Sequence, residues 1–101
     1  MEMIVALSRF SIANEMVADV RTAFRNRPHL VDRAPGFLGM EVMNPIGSPS
    51  EIWLLTRWSD QESFRKWHEG PEFQASHRDI PKGLKLVPGS TQVLLLDVFA
   101  D

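Results

Sequence analysis

The chain of 101 residues is 44% hydrophobic and 24% charged, with a net charge of −2 and no cysteine. Those numbers describe one folded domain over residues 1–101 and exclude a disordered chain; the evenly mixed charges exclude a basic, nucleic-acid-binding stripe. The missing cysteines remove disulfides, thiolate metal sites, iron–sulfur clusters and thiol nucleophiles, and no apolar run is long enough to span a bilayer.

Met3 to Phe10 reads as a strand with Ile4, Ala6, Ser8 and Phe10 on one face and Met3, Val5 and Leu7 on the other. The opening MEMIVALSRF is too short and too quickly charged for a leader peptide, which, with the lack of cysteine, points to the cytoplasm. Ser11 to Asn14 signals helix entry, with Asn14 as N-cap and Glu15 in the first turn. Met16, Val17, Val20, Ala23 and Phe24 then recur at helical spacing until Pro28. Phe37 to Asn44 is the second strand, and Asn44 to Ser50 has the composition of a hairpin loop. Glu51 to Trp58 is the third strand. Ser59 to Glu62 fits a capping box, S-x-x-E, so a helix follows, with Phe64 and Trp67 on one face. Gly70 breaks it and Pro71 starts another, with Phe73, Ser76, His77 and Ile80 in one stripe up to Pro81. Lys82 to Ser90 reads as a mobile loop, and Thr91 to Ala100 as the last strand.

The order βαββ, a broken helix pair and β predicts a ferredoxin-like α+β fold: a four-stranded antiparallel sheet with helices on one face. The strands are nevertheless apolar on both faces. A second copy covering the open face, in a two-fold homodimer, is the simplest way to keep that surface from water.

Histidines and carboxylates are left to carry any metal or acid–base chemistry. His29, His68 and His77 form no H-x-H or H-E-x-x-H pattern, which argues against a zinc cage; no G-x-S-x-G elbow and no phosphate loop is present. His77 shares the stripe of Phe73 and Ile80. It is either a partly buried imidazole bonded to a backbone carbonyl or a single axial ligand to a haem iron, which needs one residue in an apolar slot. His68, about 100° round the helix from Trp67, is expected to look toward solvent. Trp67 is either core or, with three tryptophans and six phenylalanines in the chain, part of a pocket for a flat apolar ligand. Arg25, Arg27, Lys82 and Lys85 are available for ligand carboxylates, with none singled out.

The segments Ala34-Pro35-Gly36-Phe37-Leu38-Gly39-Met40, Leu55-Thr56-Arg57-Trp58, Phe64-x-x-Trp67 and Phe73-x-x-x-His77 together resemble the antibiotic biosynthesis monooxygenase (ABM) superfamily, and within it the haem-degrading monooxygenases of the IsdG type. The resemblance implies a dimeric α+β barrel with a pocket between sheet and helices. It implies haem as both bound cofactor and substrate, opened with O₂ and an external electron donor such as a reductase, with release of iron. It implies that His77 is the axial ligand, that Trp67 presses the porphyrin out of plane, and that haem contacts involve His77, Trp67 and Phe24. IsdG-type enzymes carry an asparagine where this chain has Ser8; a serine hydroxyl there is shorter and both donates and accepts. Two other readings follow from that difference. One is a cofactor-independent ABM oxygenase acting on a polycyclic aromatic such as an anthrone or quinol; the other is a non-catalytic haem-binding dimer.

Overall fold

A computed structural model of the chain describes residues 3–76 and 80–101. Its elements run β1 (Ile4–Ser11), α1 (Val17–Arg25), a 3-10 turn (Val31–Arg33), β2 (Phe37–Met43), β3 (Glu51–Trp58), α2 (Gln61–Glu69), α3 (Pro71–Ser76) and β4 (Gln92–Asp97). The four strands form one antiparallel sheet in the order β2-β3-β1-β4. This is the ferredoxin-like arrangement expected from the element order. Among the described residues no helix is long and apolar enough to cross a membrane.

Register decides what each face carries. Ile4 pairs with Trp58, Ala6 with Thr56, Ser8 with Leu54 and Phe10 with Ile52 across β1 and β3. Ser8 also pairs with Val93 on β4. Side chains alternate along a strand, so these residues share the helix-covered face. Val5, Leu7, Trp53, Leu55, Leu94 and Leu96 take the other. On β4 that face is open among the described residues: Leu94 and Leu96 are each 45% exposed. It is edged by polar contacts. Arg9 Nε donates to Gln92 Oε1 at 2.7 Å, the Arg9 guanidinium lies 5.4 Å from the Trp53 ring, Trp53 Nε1 donates to Glu51 Oε1 at 2.9 Å, and Arg57 pairs with Glu41.

The covered side is filled by two small cores. One holds Ile4, Ala6, Val31 and Trp58, with Phe37, Phe64 and Trp67 packed against them. The other holds Ile12, Val20 and Ile52, with Phe10, Phe24 and Leu84. Trp58 is fully buried and meets Phe37 and Phe64 edge-on, at centroid distances of 5.4 and 5.8 Å. Gly36 turns the chain into β2 at φ +84°, directly under α2: a Cβ there would lie 2.3 Å from Ser63 Oγ and 2.8 Å from Ser59 Oγ.

Four local expectations change. Asn14 does not cap α1. Its Nδ2 donates to Gly83 O at 2.8 Å, and the helix starts at Val17 behind Met16, without a side-chain cap. The cap of α2 is Asp60 rather than Ser59: Asp60 Oδ1 accepts from Ser63 N at 2.7 Å, so the capping register is one residue later than S-x-x-E suggests. The Ser63 amide holds the Asp60 carboxyl below the usual carboxylate range. Ile80 lies in a bend, so the helical stripe of Phe73 does not run on through it. Finally, Lys82–Ser90 is pinned along the end of β1 instead of lying loose. Ala13 N donates to Lys85 O at 2.7 Å, Val87 N donates to Ser11 O at 2.8 Å, and Ile12 bridges Leu86. These bonds form because Ser11 O and Ala13 N, past the end of the sheet pairing, need partners, and an antiparallel stretch of chain supplies them.

Candidate functional site

Between the two cores the helix layer does not close on the sheet. The resulting cleft has a volume of about 440 Å³, within the range of small-molecule sites. Its floor is the sheet, from Ala6, Ser8, Leu54, Thr56 and Met40; Val20 and Phe24 of α1 form one wall, and Phe64, Trp67 and His68 of α2 the other. Phe73 and Ile80 also line it. A second hollow of about 550 Å³ lies along the outer edge of β4, from Gln61 to Phe99. It contains none of the residues singled out by sequence.

Three of those residues do come together. Ser8, Phe24 and Trp67 all line the cleft. Ser8 enters because β1 alternation turns it inward with Ala6 and Phe10. Its hydroxyl has no hydrogen-bond partner among the described residues. Trp67 is backed by the Trp58 core and meets Phe73 edge-on at 6.2 Å, so its indole is braced from behind and from the side. His77, the fourth, lies outside the described residues.

Thr56 is also on the floor, but its hydroxyl is committed. It accepts from Trp58 Nε1 at 2.9 Å and points to Ala6 O at 3.4 Å. Of the basic residues considered for ligand carboxylates, Arg27 alone lines the cleft. Its guanidinium is paired with Asp32 at 2.8 Å. This hydrogen bond, together with a contact from His29 Nδ1 at 3.3 Å, holds the Asp32 carboxyl below its ordinary range. His29 lines the cleft too, in the left-handed region at φ 59°, which few side chains other than Asn, Asp and His adopt.

His68 differs most from expectation. It is exposed, but on the cleft's lip rather than away from it. Its ring stacks on Phe64, with centroids 5.4 Å apart and planes at 30°, and lies 4.5 Å from Phe73. The angle from Trp67 was misleading. Four residues on from Phe64, His68 is only about 40° round the helix from a core residue, so Phe64, Trp67 and His68 form one stripe. That spacing was the signal available in the sequence. Among the described residues no three His, Asp or Glu side chains converge as a metal ion's ligand set would.

A four-stranded antiparallel sheet with a largely apolar cleft under its helices defines a small α+β domain of ferredoxin-like type. The family model for antibiotic biosynthesis monooxygenases matches residues 3–79, and the chain belongs to that family. It is 32% identical over 65 residues to a heme oxygenase (mycobilin-producing) of Mycobacterium tuberculosis, a stretch covering 62% of each chain. It is 37% identical over 54 residues to a heme-degrading monooxygenase of Bacillus cereus, covering 52% of this chain and 50% of the relative. The matched stretch thus spans between half and about three-fifths of these relatives' length. Among solved structures, the heme-degrader MhuD of Mycobacterium tuberculosis, with two hemes bound, has a TM-score of 0.78 at 23% identity, with 97% of each chain covered. SnoaB of Streptomyces nogalater, a cofactor-independent oxygenase, has a TM-score of 0.74 at 17% identity, covering 95% of this chain and 92% of its own. At these identities the likeness is one of fold.

Proposed function

We propose that this protein is a haem-degrading monooxygenase that takes haem into the cleft and, with O₂ and an external electron donor, opens the macrocycle and releases iron. The observation that carries this reading is that Ser8, Phe24 and Trp67 line one apolar cleft, in a chain whose relatives are named for haem degradation. The cleft suits the group: its aromatic and aliphatic walls match a flat apolar ring, and an axial site requires a single imidazole.

In this reading His77 would hold the iron, and Phe24 and Trp67 would contact the porphyrin. Bound haem supplies the iron at which O₂ is activated and is itself the ring that is oxidised. Trp67 would press on that ring, since Phe73 and the Trp58 core brace the indole from the side and from behind. Ser8 offers a hydroxyl that donates or accepts, directly or through water. A second copy of the chain covers the open sheet face, making a homodimer, and a cytoplasmic reductase is one source of electrons.

One observation favours a second reading. Ser8 and His68 are polar groups with no partner among the described residues, and together they can hold a substrate oxygen without a metal. Cofactor-independent oxygenation of an anthrone or quinol would use them so, on the same fold as SnoaB.

Titration with haemin separates these readings. A stoichiometric Soret band, abolished in His77→Ala and bleached with iron release when ascorbate is added under air, is the expected result. Absence of a saturable Soret change would eliminate haem chemistry. A band that persists with ascorbate would leave a haem-binding dimer without degrading activity.

A further inference from the structure

The cleft is apolar in its depth, but its lip is not. Arg27, His29 and His68 are on its lining, and among the described residues no aspartate or glutamate joins them. Arg27 and His29 share one carboxylate, Asp32, which is not itself on the lining. His68 has none: neither ring nitrogen has a partner among the described residues. Its orientation is nevertheless fixed, because Phe64 stacks on the imidazole and Phe73 packs against it. Stacking occupies the faces of the ring and leaves its nitrogen-bearing edge free. An exposed histidine held in this way is a ready hydrogen-bond donor beside an apolar slot.

We propose that His68 donates a hydrogen bond to an acid group on the rim of the flat ligand, so that the cleft selects polycyclic carboxylic acids over their neutral counterparts. The proposal rests on the cleft being the site of a flat aromatic molecule, not on haem being degraded there. Arg27 adds to the favourable field, but its charge is already shared with Asp32, and His29 Nδ1 faces that same carboxylate. The uncommitted donor is therefore the one that discriminates. A bond from imidazole to a carboxylate is stronger than one to an ester carbonyl, since one partner is charged.

The test uses metal-free protoporphyrin IX and its dimethyl ester, with binding followed by porphyrin fluorescence in the full chain. Without iron, axial ligation contributes nothing to either affinity. The diacid is expected to bind roughly tenfold more tightly than the ester. His68→Phe, which keeps the aromatic stack, should weaken the diacid by about that factor and leave the ester unchanged. His68→Gln, which restores a donor, should recover part of the preference. Equal affinity of the unsubstituted protein for the two porphyrins overturns the proposal, and this comparison needs no variant to fold. Equal weakening of both ligands by His68→Phe reduces the residue to packing and also overturns it. So does a preference that survives His68→Phe but disappears in Arg27→Gln. If neither porphyrin binds, the reading of the cleft falls with the proposal. If the preference appears as expected but haem is not consumed, the degradation reading alone falls.

Discussion

Trp58 Nε1 donates to Thr56 Oγ1 at 2.9 Å, joining the most buried side chain of the core to the floor of the cleft. The two residues are two apart on β3 and so share a face. The bond satisfies an indole N–H that has no access to water, and it takes Thr56 out of ligand chemistry. Among the sheet's described cleft residues, that leaves Ser8 with the free hydroxyl.

Thr56→Val keeps the shape but removes the acceptor, leaving the Trp58 N–H unpaired in the core. The expected cost is about 1–3 kcal/mol in stability. Ligand affinity should be unchanged, because the hydroxyl was never offered to the cleft. Urea denaturation beside haemin titration checks both halves; an unaltered midpoint would mean that the indole finds another acceptor.

Gly36→Ala should be among the most damaging single-methyl changes in the chain. The residue sits at φ +84°, and the added carbon would lie 2.5 Å from Ser63 Cβ as well as against Ser63 Oγ. Left-handed strain and overpacking together cost roughly 2–4 kcal/mol. Ser63→Ala in the same chain should recover only part of the loss, since Ser63 Cβ remains in the way. Full rescue would show that the hydroxyl alone made the clash.

Acid should weaken the fold at two named carboxylates. Asp32 is lowered chiefly by its hydrogen bond from Arg27, and Asp60 chiefly by the Ser63 amide. A carboxyl lowered on folding adds stability above its unfolded pKa, about 3.9 for aspartate, and loses it as pH falls through the lower folded value. Stability should therefore decline below about pH 4. In Asp60→Asn, which caps a helix without titrating, the decline should be shallower. Identical slopes in urea midpoint against pH would remove Asp60 from the account.

The open sheet face gives a further expectation. Leu94→Arg with Leu96→Arg puts two charges on the exposed apolar face of β4. If a second copy covers that face, light scattering should find a dimer for the unsubstituted chain and a monomer for the double variant. A monomeric unsubstituted chain at micromolar concentration would end the dimer proposal.

Strand and helix order was legible in the sequence because periodicity is local. β3 runs over Glu51–Trp58, as the sequence reading has it, and β1 is displaced by one residue. The same alternation put Ser8 on the helix side and, with helical spacing, put Phe24 and Trp67 on inward faces, so that these three line the cleft was readable from local pattern. Tertiary structure decided what depends on partners far apart in sequence. Asn14 left the α1 cap because Gly83 O was there to receive it. The chain over 82–90 was held because β1 ended with unpaired backbone groups. His68 became a lip residue because Phe73, on the next helix, closes its far side. Spacing along one element tells which residues share a face; it does not tell what that face will meet, and the polar character of the cleft was set there.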